Sequence, residues 1–369
     1  MTDDLVLGLN PQQEAAVTHS GGPLLIVAGA GSGKTAVLTR RVAYLMQQRG
    51  VAPWQILAIT FTNKAAAEMR ERVSQLVGPE AERMWVATFH SVCVRILRQQ
   101  AQLVPGLNTN FTIYDADDSR RLLGMIAKDL NLDLKKFTAR TLSNAISNLK
   151  NELIGPERAL EDATRTHNPF ETTVAQVYGE YQRRLRQSNS LDFDDLIGEV
   201  VRIFSEHPQV TEYYRRRFRH VLVDEYQDTN HSHYVLVRTL VGDGPDAPEL
   251  AVVGDSDQSI HAFRGATIRN ILQFEEDYPN ATTILLERNY RSTQTILTAA
   301  NAVIERNENR RPKNLWTDAG AGAGITGYVA DTEHDEAQFV AEEIDRLTDA
   351  GDAKAGDIAV FYRTNAQSR

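Results

Sequence analysis

The chain has 369 residues, a net charge of −9, and apolar and charged fractions of 42% and 24%, which are typical of a globular protein with two or three domains. Its single cysteine, Cys93, excludes an internal disulfide and a cysteine-based zinc cluster, and we expect it to be a small core residue. The first residues, MTDDLVLGLN, are acidic and no apolar run approaches the roughly 18 residues of a membrane span, so we expect a cytoplasmic protein.

The negative charge argues on its face against a nucleic-acid partner. Acidic residues are concentrated at 331–357, however, while basic residues cluster at 183–186, 215–219 and 310–313. Each basic cluster can be a solvated helix face or part of a track for DNA. Charge alone therefore does not decide the class of partner.

The first predicted helix covers residues 10–19, because Asn10 suits an N-cap and Pro11 suits the first helical position. Gln13 lies on this helix. The apolar residues 24–27 then predict a short buried strand.

A glycine-rich loop, AGAGSGKT at 28–35, follows that strand. Its glycines permit positive φ angles, so the backbone can wrap a polyphosphate at the start of the next helix. Lys34 can reach the β and γ oxygens, and the Thr35 hydroxyl suits a Mg²⁺ ligand. This is a P-loop, although Ala28 stands where the strict pattern has glycine. The alternative is a glycine-rich loop without a function.

Further apolar runs predict strands at 56–60 and 86–88, and again at 221–223, 250–253 and 283–286, with helices between them. This alternation predicts a parallel sheet whose ligands gather at the carboxyl ends of the strands. Residues 115–190 have helical periodicity throughout and predict an inserted helical subdomain. Residues 325–329 and 358–362 predict strands of a second α/β domain.

Two adjacent carboxylates, Asp224 and Glu225, follow the predicted strand at 221–223. Side chains that are adjacent on an extended backbone point apart, so we expect Asp224 to hold Mg²⁺ and Glu225 to act as the base for an attacking water. Acidic residues at a strand end are often only solvated loop residues. The P-loop upstream favours the catalytic interpretation.

Two later segments carry further candidates. After the strand at 250–253, Gln258 can contact both a γ-phosphate and a water, while the ring side chains of His261 and Phe263 can stack on bases or simply pack. In the next segment, NYRS, Arg291 can stabilise charge on the γ-phosphate as an arginine finger does, and Tyr290 can lie against a base.

Seven blocks of sequence occur in one order: AGAGSGKT, AITFTNKAAAEMRERV, TFHS, LDFDDL, VDEYQD, VGDSDQSI with FRGA, and NYRS. In order and spacing they resemble the superfamily 1A DNA helicases of the UvrD/PcrA/Rep type, which are bacterial, and the composition suggests an actinobacterial source. The resemblance implies a RecA-like motor that couples hydrolysis of ATP, with Mg²⁺, to 3′ to 5′ movement on single-stranded DNA.

The resemblance also implies roles for individual residues. The catalytic set it implies is Lys34, Asp224, Glu225, Gln258 and Arg291. Nucleotide binding is implied for Gln13, Ala28, Gly29, Ala30, Gly31, Ser32, Gly33, Lys34, Thr35, Tyr290 and Arg291, with Thr35 and Asp224 on the metal. Contacts with single-stranded DNA are implied for Phe61, Thr62, Asn63, Thr88, His90, His261, Phe263, Arg264, Arg363 and Asn365. Ala36 stands where relatives often have a basic residue near adenine.

The expected fold class is α/β: a RecA-like P-loop NTPase domain with a parallel sheet, an inserted all-helical subdomain and the start of a second RecA-like domain. The expected boundaries are 1–114 and 191–288 for domain 1A, 115–190 for subdomain 1B, and 289–369 for an incomplete domain 2A.

The implied partners are single-stranded DNA and junctions of single- and double-stranded DNA, with DNA-repair proteins or RNA polymerase implied by the family and no membrane. We therefore expect an ATP-dependent DNA helicase that acts in DNA repair. An alternative is that this chain, as the N-terminal part only, binds nucleotide and single-stranded DNA with little turnover. A P-loop kinase or small-molecule NTPase is disfavoured because FTNKAAAEM and TFHS have no place in it.

Overall fold

The structure is a computed structural model that describes residues 3–262, 265–308 and 310–368. Phe263 and Arg264, two of the predicted DNA contacts, lie outside the described residues. The chain divides into two compact units, residues 1–320 and residues 321–369.

The first unit is built on parallel strands. They are β1 (Leu24–Ala28), β2 (Ile56–Thr60), β3 (Trp85–Thr88), β4 (Thr112–Tyr114), β5 (Ser190–Asp192), β6 (His220–Val223), β7 (Glu249–Gly254) and β8 (Thr282–Leu286). Six of them form one sheet in the order β3-β2-β6-β7-β1-β8, and β4 pairs with β5 separately. Every pair is parallel, which confirms the predicted parallel sheet.

Helices connect these strands. In the first unit they are α1 (Asp3–Val6), α2 (Pro11–Thr18), α3 (Lys34–Gln47), α4 (Asn63–Val77), α5 (Phe89–Gln100), α6 (Ala116–Asp129), α7 (Ala139–Asn151), α8 (Pro156–Arg165), α9 (Pro169–Gln187), α10 (Phe193–Glu206), α11 (Pro208–Arg217), α12 (His231–Val241), α13 (Arg269–Leu272), α14 (Phe274–Asp277) and α15 (Gln294–Ile304). Among the described residues, no helix combines the length and the apolarity that a membrane span requires.

The two faces of the sheet bury separate cores, because alternate residues of a strand point to opposite faces. Leu25 and Val27 of β1 pack on one face with α5, α10 and α12. Leu24 and Ile26 pack on the other with α2, α3 and α4. Cys93 is fully buried in the first of these cores, in agreement with the prediction.

A third core joins helices α6, α7, α8 and α9. These helices occupy the region that the periodicity predicted as an inserted helical subdomain. They are tied to the sheet domain by Lys150 of α7, whose Nζ donates hydrogen bonds to Asp192 at 2.7 Å and Asp195 at 2.9 Å. Both carboxylates are buried at the start of α10.

The basic side chains of these clusters have partners within the protein. Arg183 and Arg184 donate to Glu180, while Arg215 caps α12 by donating to the carbonyl groups of Thr239 and Leu240. The cluster at 310–313 is packed against the sheet domain, since Lys313 is buried.

The first unit ends after Gly320, beyond the expected boundary at 288/289. Residues that follow β8 remain on the sheet domain, as the hydrogen bonds from Asn289 Nδ2 to the Ala30 carbonyl (2.6 Å) and from Tyr290 N to the Gly31 carbonyl (2.8 Å) show. The boundary of domain 2A expected at 288/289 stays a prediction.

The second unit contains helix α16 (Glu333–Asp349). The strands predicted at 325–329 and 358–362 are not formed, although the structure describes both segments. A strand needs a neighbour for its backbone N–H and C=O groups, and these segments have none, as the exposure of Val329 (96%) and Phe361 (93%) illustrates. The prediction of strands there is wrong for this chain.

Candidate functional site

The P-loop lies between β1 and α3, as predicted. Gly31 and Gly33 have φ angles of 67° and 83°, which only glycine adopts at low cost. Gly29 does not have a positive φ, contrary to expectation. Close packing favours glycine there, because a Cβ on Gly29 would lie 2.2 Å from Leu315 Cδ2 and 3.3 Å from the Leu286 carbonyl oxygen.

The loop is fixed by residues outside it. Its carbonyl groups at Ala30 and Ser32 accept hydrogen bonds from Asn289 Nδ2 at 2.6 Å and Gln13 Nε2 at 2.9 Å. Gln13 also forms the capping box of α2 with Asn10. Because these side chains bind the carbonyl groups of the loop, the loop is held in place and the start of α3, with its positive dipole end, is directed at the cavity.

This loop borders an open cavity of about 700 Å³, the P-loop cavity. Its lining contains Gln13, Ala28, Gly29, Ala30, Gly31, Ser32, Gly33, Lys34, Thr35, Glu225, Gln258, Tyr290 and Arg291, together with Gly8, Leu9, Ala36, Arg40 and Arg72. All the predicted nucleotide-binding residues are therefore brought together. Among the predicted catalytic residues, Asp224 is absent from this lining and is buried beside it.

Lys34 connects the P-loop to the acidic pair. Its Nζ lies 3.7 Å from Asp224 Oδ1 and makes a close ion pair with Glu225 Oε1. The two carboxylates thus converge on one cation, which contradicts the expectation that they point apart. The reason is the backbone at Glu225, which has φ 50° and ψ 44° and is left-handed instead of extended.

Asp224 is 8% exposed, and this burial raises the pKa of its carboxyl group to about 6. A buried carboxylate favours a cation beside it. Among the described residues, no group of three or more His, Cys, Asp or Glu side chains converges to hold a metal ion. Mg²⁺ in phosphate sites commonly uses only one or two protein carboxylates with phosphate oxygens and water, so Thr35 and Asp224 fit that kind of site.

Gln258 and Glu225 are held by an internal network. Gln258 Nε2 donates to Asp255 Oδ2 at 2.7 Å, and Gln227 Nε2 donates to Glu225 Oε2 at 2.8 Å. The backbone N–H of Asp255 in turn donates to Gln227 Oε1 at 3.0 Å. Gln227 was not singled out from the sequence, and its place inside VDEYQD was the available signal.

Other contributors were also missed. Arg72 of α4 and Arg40 of α3 line the P-loop cavity and supply cations where Ala36 supplies none. Asn289, which is 2% exposed, binds the Ala30 carbonyl and accepts from the N–H groups of Arg291 and Ser292. Its presence in NYRS was the only sequence signal for it.

A second cavity of about 530 Å³, the lip cavity, opens beyond β2, β3 and β6. The predicted DNA contacts that line it are Phe61, Thr62, Thr88, His90 and His261. Asn63, the first residue of α4, is exposed beside Thr62. Arg363 and Asn365 belong to the second unit and are exposed there.

The lip cavity has an aromatic floor. The ring centroid of His233 lies 4.4 Å from that of Phe89 and 5.7 Å from that of Phe61. Burial lowers the pKa of His233 to about 3 and also lowers that of His90. These rings are therefore neutral near pH 7. Thr62 and Thr88 cap α4 and α5 through their hydroxyl oxygens, so both also have a structural role.

The comparisons with known proteins agree with this geometry. The family described as UvrD/REP helicase N-terminal domain matches residues 9–279, and the one described as UvrD-like helicase C-terminal domain matches residues 284–369. The chain belongs to the UvrD/REP helicase family. The recognition made from the seven blocks and the RecA-like α/β fold class expected with it are confirmed.

The named relatives of this helicase family include the ATP-dependent DNA helicase UvrD1 of Mycobacterium tuberculosis, to which the chain is 68% identical over 371 aligned residues. It is 53% identical to the ATP-dependent DNA helicase PcrA of Bacillus subtilis. Both alignments cover 100% of this chain, but 48% and 49% of the relatives. The chain thus spans about half the length of the curated relatives it matches.

Proposed function

We propose that this chain is the motor core of an ATP-dependent DNA helicase that translocates 3′ to 5′ on single-stranded DNA and acts in DNA repair. The observation that carries the proposal is the convergence of Asp224 and Glu225 on Lys34 of the P-loop, with the aromatic lip cavity at the same edge of the sheet. The direction of movement and the repair role rest on the family resemblance alone.

In the proposed chemistry, Lys34 and Arg291 grip the phosphates, while Gln13 and Tyr290 contact the base. Mg²⁺, when bound by Thr35 and Asp224, would neutralise phosphate charge. Glu225 orients and deprotonates the attacking water. Lys34 first has to leave Glu225, because in the structure the two form an ion pair.

In the proposed DNA contact, bases stack on the rings of Phe61 and His90, and Thr62, Asn63, Thr88 and His261 contact the strand. Aromatic stacking tolerates every base, so we expect little sequence preference. Phe263, Arg264, Arg363 and Asn365 are proposed as further contacts on the basis of the resemblance. Repair proteins and RNA polymerase are partners suggested in the same way.

A second candidate is a nucleotide- and DNA-binding module with little turnover. It is favoured by the exposure of the second unit, in which no residue of α16 is buried. A catalytic site of this type is completed by closure of two lobes.

The experiment is the ATP hydrolysis rate of the 369-residue chain with and without single-stranded DNA, alongside titration with a fluorescent ATP analogue. Stimulated hydrolysis would support the motor, whereas binding without turnover would support the module. Absence of nucleotide binding would contradict both. For direction, the longer protein would be tested on partial duplexes with 3′ or 5′ single-stranded tails, and unwinding from 5′ tails alone would contradict the proposal.

A further inference from the structure

A buried ion cluster lies behind the P-loop cavity. It consists of Asp255 and Asp257, which follow β7, and of Arg310 and Lys313, which belong to the segment after α15. Lys313 Nζ contacts Asp255 Oδ1 at 2.5 Å and also makes a close ion pair with Asp257. Arg310 binds Asp257 through two hydrogen bonds of 2.9 and 2.8 Å. Asp255 and the Lys313 side chain are only 3% and 2% exposed.

The two acids of this ion cluster have different tasks. Burial acts to raise the pKa of Asp257, but the guanidinium of Arg310 and the ammonium of Lys313 outweigh it and hold that pKa below its usual value. Asp257 is thus held mainly within the cluster. Asp255 connects the ion cluster to Gln258, because its Oδ1 accepts a hydrogen bond from Lys313 and its Oδ2 accepts one from Gln258 Nε2 at 2.7 Å.

This hydrogen bond engages the amide of Gln258, which we expect to contact the γ-phosphate of a bound nucleotide. For Gln258 to turn into the P-loop cavity, Asp255 has to give up one hydrogen bond while remaining buried. A buried carboxylate without a partner is strongly disfavoured. Lys313 stays on the other oxygen, so the charge of Asp255 remains paired when Gln258 leaves.

We propose that Lys313 is a positioning residue which neutralises Asp255 and thereby allows Gln258 to exchange between Asp255 and the terminal phosphate of a bound nucleoside triphosphate. The inference rests on the proposed function. It gives the segment around Lys313, which crosses behind Gly29 with Lys313 Cε 3.4 Å from the position of a Cβ there, a direct part in distinguishing ATP from ADP.

The test is the ratio of the affinities of this chain for a non-hydrolysable fluorescent ATP analogue and for fluorescent ADP. In the Lys313→Met variant, an uncompensated Asp255 should retain Gln258. We expect the preference for the triphosphate to fall about tenfold, to the value of Gln258→Ala, while the affinity for ADP stays within about twofold of the parent. The control is Lys128→Met at an exposed position.

The double variant Asp255→Asn with Lys313→Met removes both charges and keeps the proposal testable if the single variant folds poorly. It should recover most of the preference for the triphosphate, because a neutral amide at position 255 binds the Gln258 amide less strongly than a carboxylate does.

Two results would overturn the inference. They are an unchanged ratio in Lys313→Met, whether or not the melting temperature of that variant falls, and no recovery in the double variant. If the unmodified chain binds neither nucleotide, the proposed function fails first and the inference fails with it. If the unmodified chain binds both nucleotides and the variants show the same ratio of affinities as the unmodified chain, the inference alone fails.

Discussion

The P-loop cavity and the lip cavity lie at the same edge of one sheet but are lined by different kinds of side chain. The P-loop cavity is charged, and its side chains are already engaged with one another, as Lys34 with Glu225 and Gln258 with Asp255 show. The lip cavity has a neutral aromatic floor of packed rings. A nucleotide must therefore displace internal partners, whereas a base can stack on a surface that is already formed.

The segment after β6 joins the two cavities. Glu225 lines the P-loop cavity, while Asp228, Asn230 and His233 line the lip cavity. Asn230 caps α12 and also donates from Nδ2 to Asn151 Oδ1 of the helical subdomain at 3.2 Å. Groups of both cavities therefore lie on one short stretch of backbone, and a movement of that backbone at Glu225 would be passed to the aromatic floor.

The largest expected effect tests the charged cavity. Lys34→Ala should abolish turnover and weaken ATP binding by roughly tenfold to a hundredfold, because a charge-assisted contact with the phosphates is lost. Fluorescent-nucleotide titration measures the affinity, and Lys128→Ala serves as the exposed control. Unchanged ATP affinity in Lys34→Ala would show that the P-loop cavity does not bind the phosphates.

Glu225→Gln separates binding from chemistry in the same cavity. We expect hydrolysis to fall by about 10²- to 10⁴-fold, since an amide cannot accept the proton of the attacking water, while ATP binding is retained. The rate is measured in a form of the protein that hydrolyses ATP, with Glu212→Gln at an exposed position as control. Hydrolysis at the parent rate would make the assignment of Glu225 as base wrong.

Phe61→Ala tests the aromatic side of the comparison. Loss of one stacked base should weaken binding of a labelled oligothymidylate by about fivefold to 150-fold, corresponding to about 1–3 kcal/mol, with ATP affinity unchanged. Trp54→Ala removes another half-exposed aromatic ring (49% exposed) away from both cavities and is the matched control. Equal oligonucleotide affinity in the parent and Phe61→Ala would remove stacking at Phe61 from the account.

The smallest expected effect concerns the neutral histidine ring in the aromatic floor of the lip cavity. The pKa of His233 is about 3 in the folded chain because of burial, against an ordinary value of 6.5. Between these values the unfolded chain binds a proton that the folded chain does not. The contribution of His233 to the free energy of unfolding is therefore highest above pH 6.5 and decreases as the pH falls. Each pKa unit corresponds to about 1.4 kcal/mol.

His233→Gln should therefore lose less unfolding free energy than the parent between pH 6.5 and pH 4.5, as measured by urea denaturation. Glutamine suits the same capping position of α12. His334→Gln, at an exposed position, should follow the parent. An identical loss of stability in the parent and His233→Gln would contradict a neutral buried ring.

Sequence reasoning succeeded where the signal is local. The strand predicted at 24–27, the helix start at Asn10 and the loop before Lys34 all depend on neighbouring residues, and the structure confirms them. The residues that the family resemblance implied for nucleotide binding line one cavity, and their role stays a prediction. Local patterns carry this information because apolar runs and caps act over a few residues.

The failures concern backbone exceptions and distant partners. The expectation that Asp224 and Glu225 point apart assumed an extended backbone, which the positive φ at Glu225 overturns. Asn289 and Lys313 were missed because their partners at Ala30 and Asp255 are far away in the chain. No local sequence pattern predicts such contacts. The absent strands at 325–329 and 358–362 show likewise that strand formation depends on a neighbour.

The most direct test of two separate sites on one sheet edge is a crossed titration of Lys34→Ala and Phe61→Ala with a fluorescent ATP analogue and a labelled oligothymidylate. The account predicts that Lys34→Ala loses affinity for the nucleotide and keeps it for the oligonucleotide, and that Phe61→Ala does the reverse. If both ligands lost affinity together in each variant, or if neither did in either variant, the assignment of nucleotide to the P-loop cavity and DNA to the lip cavity would be wrong.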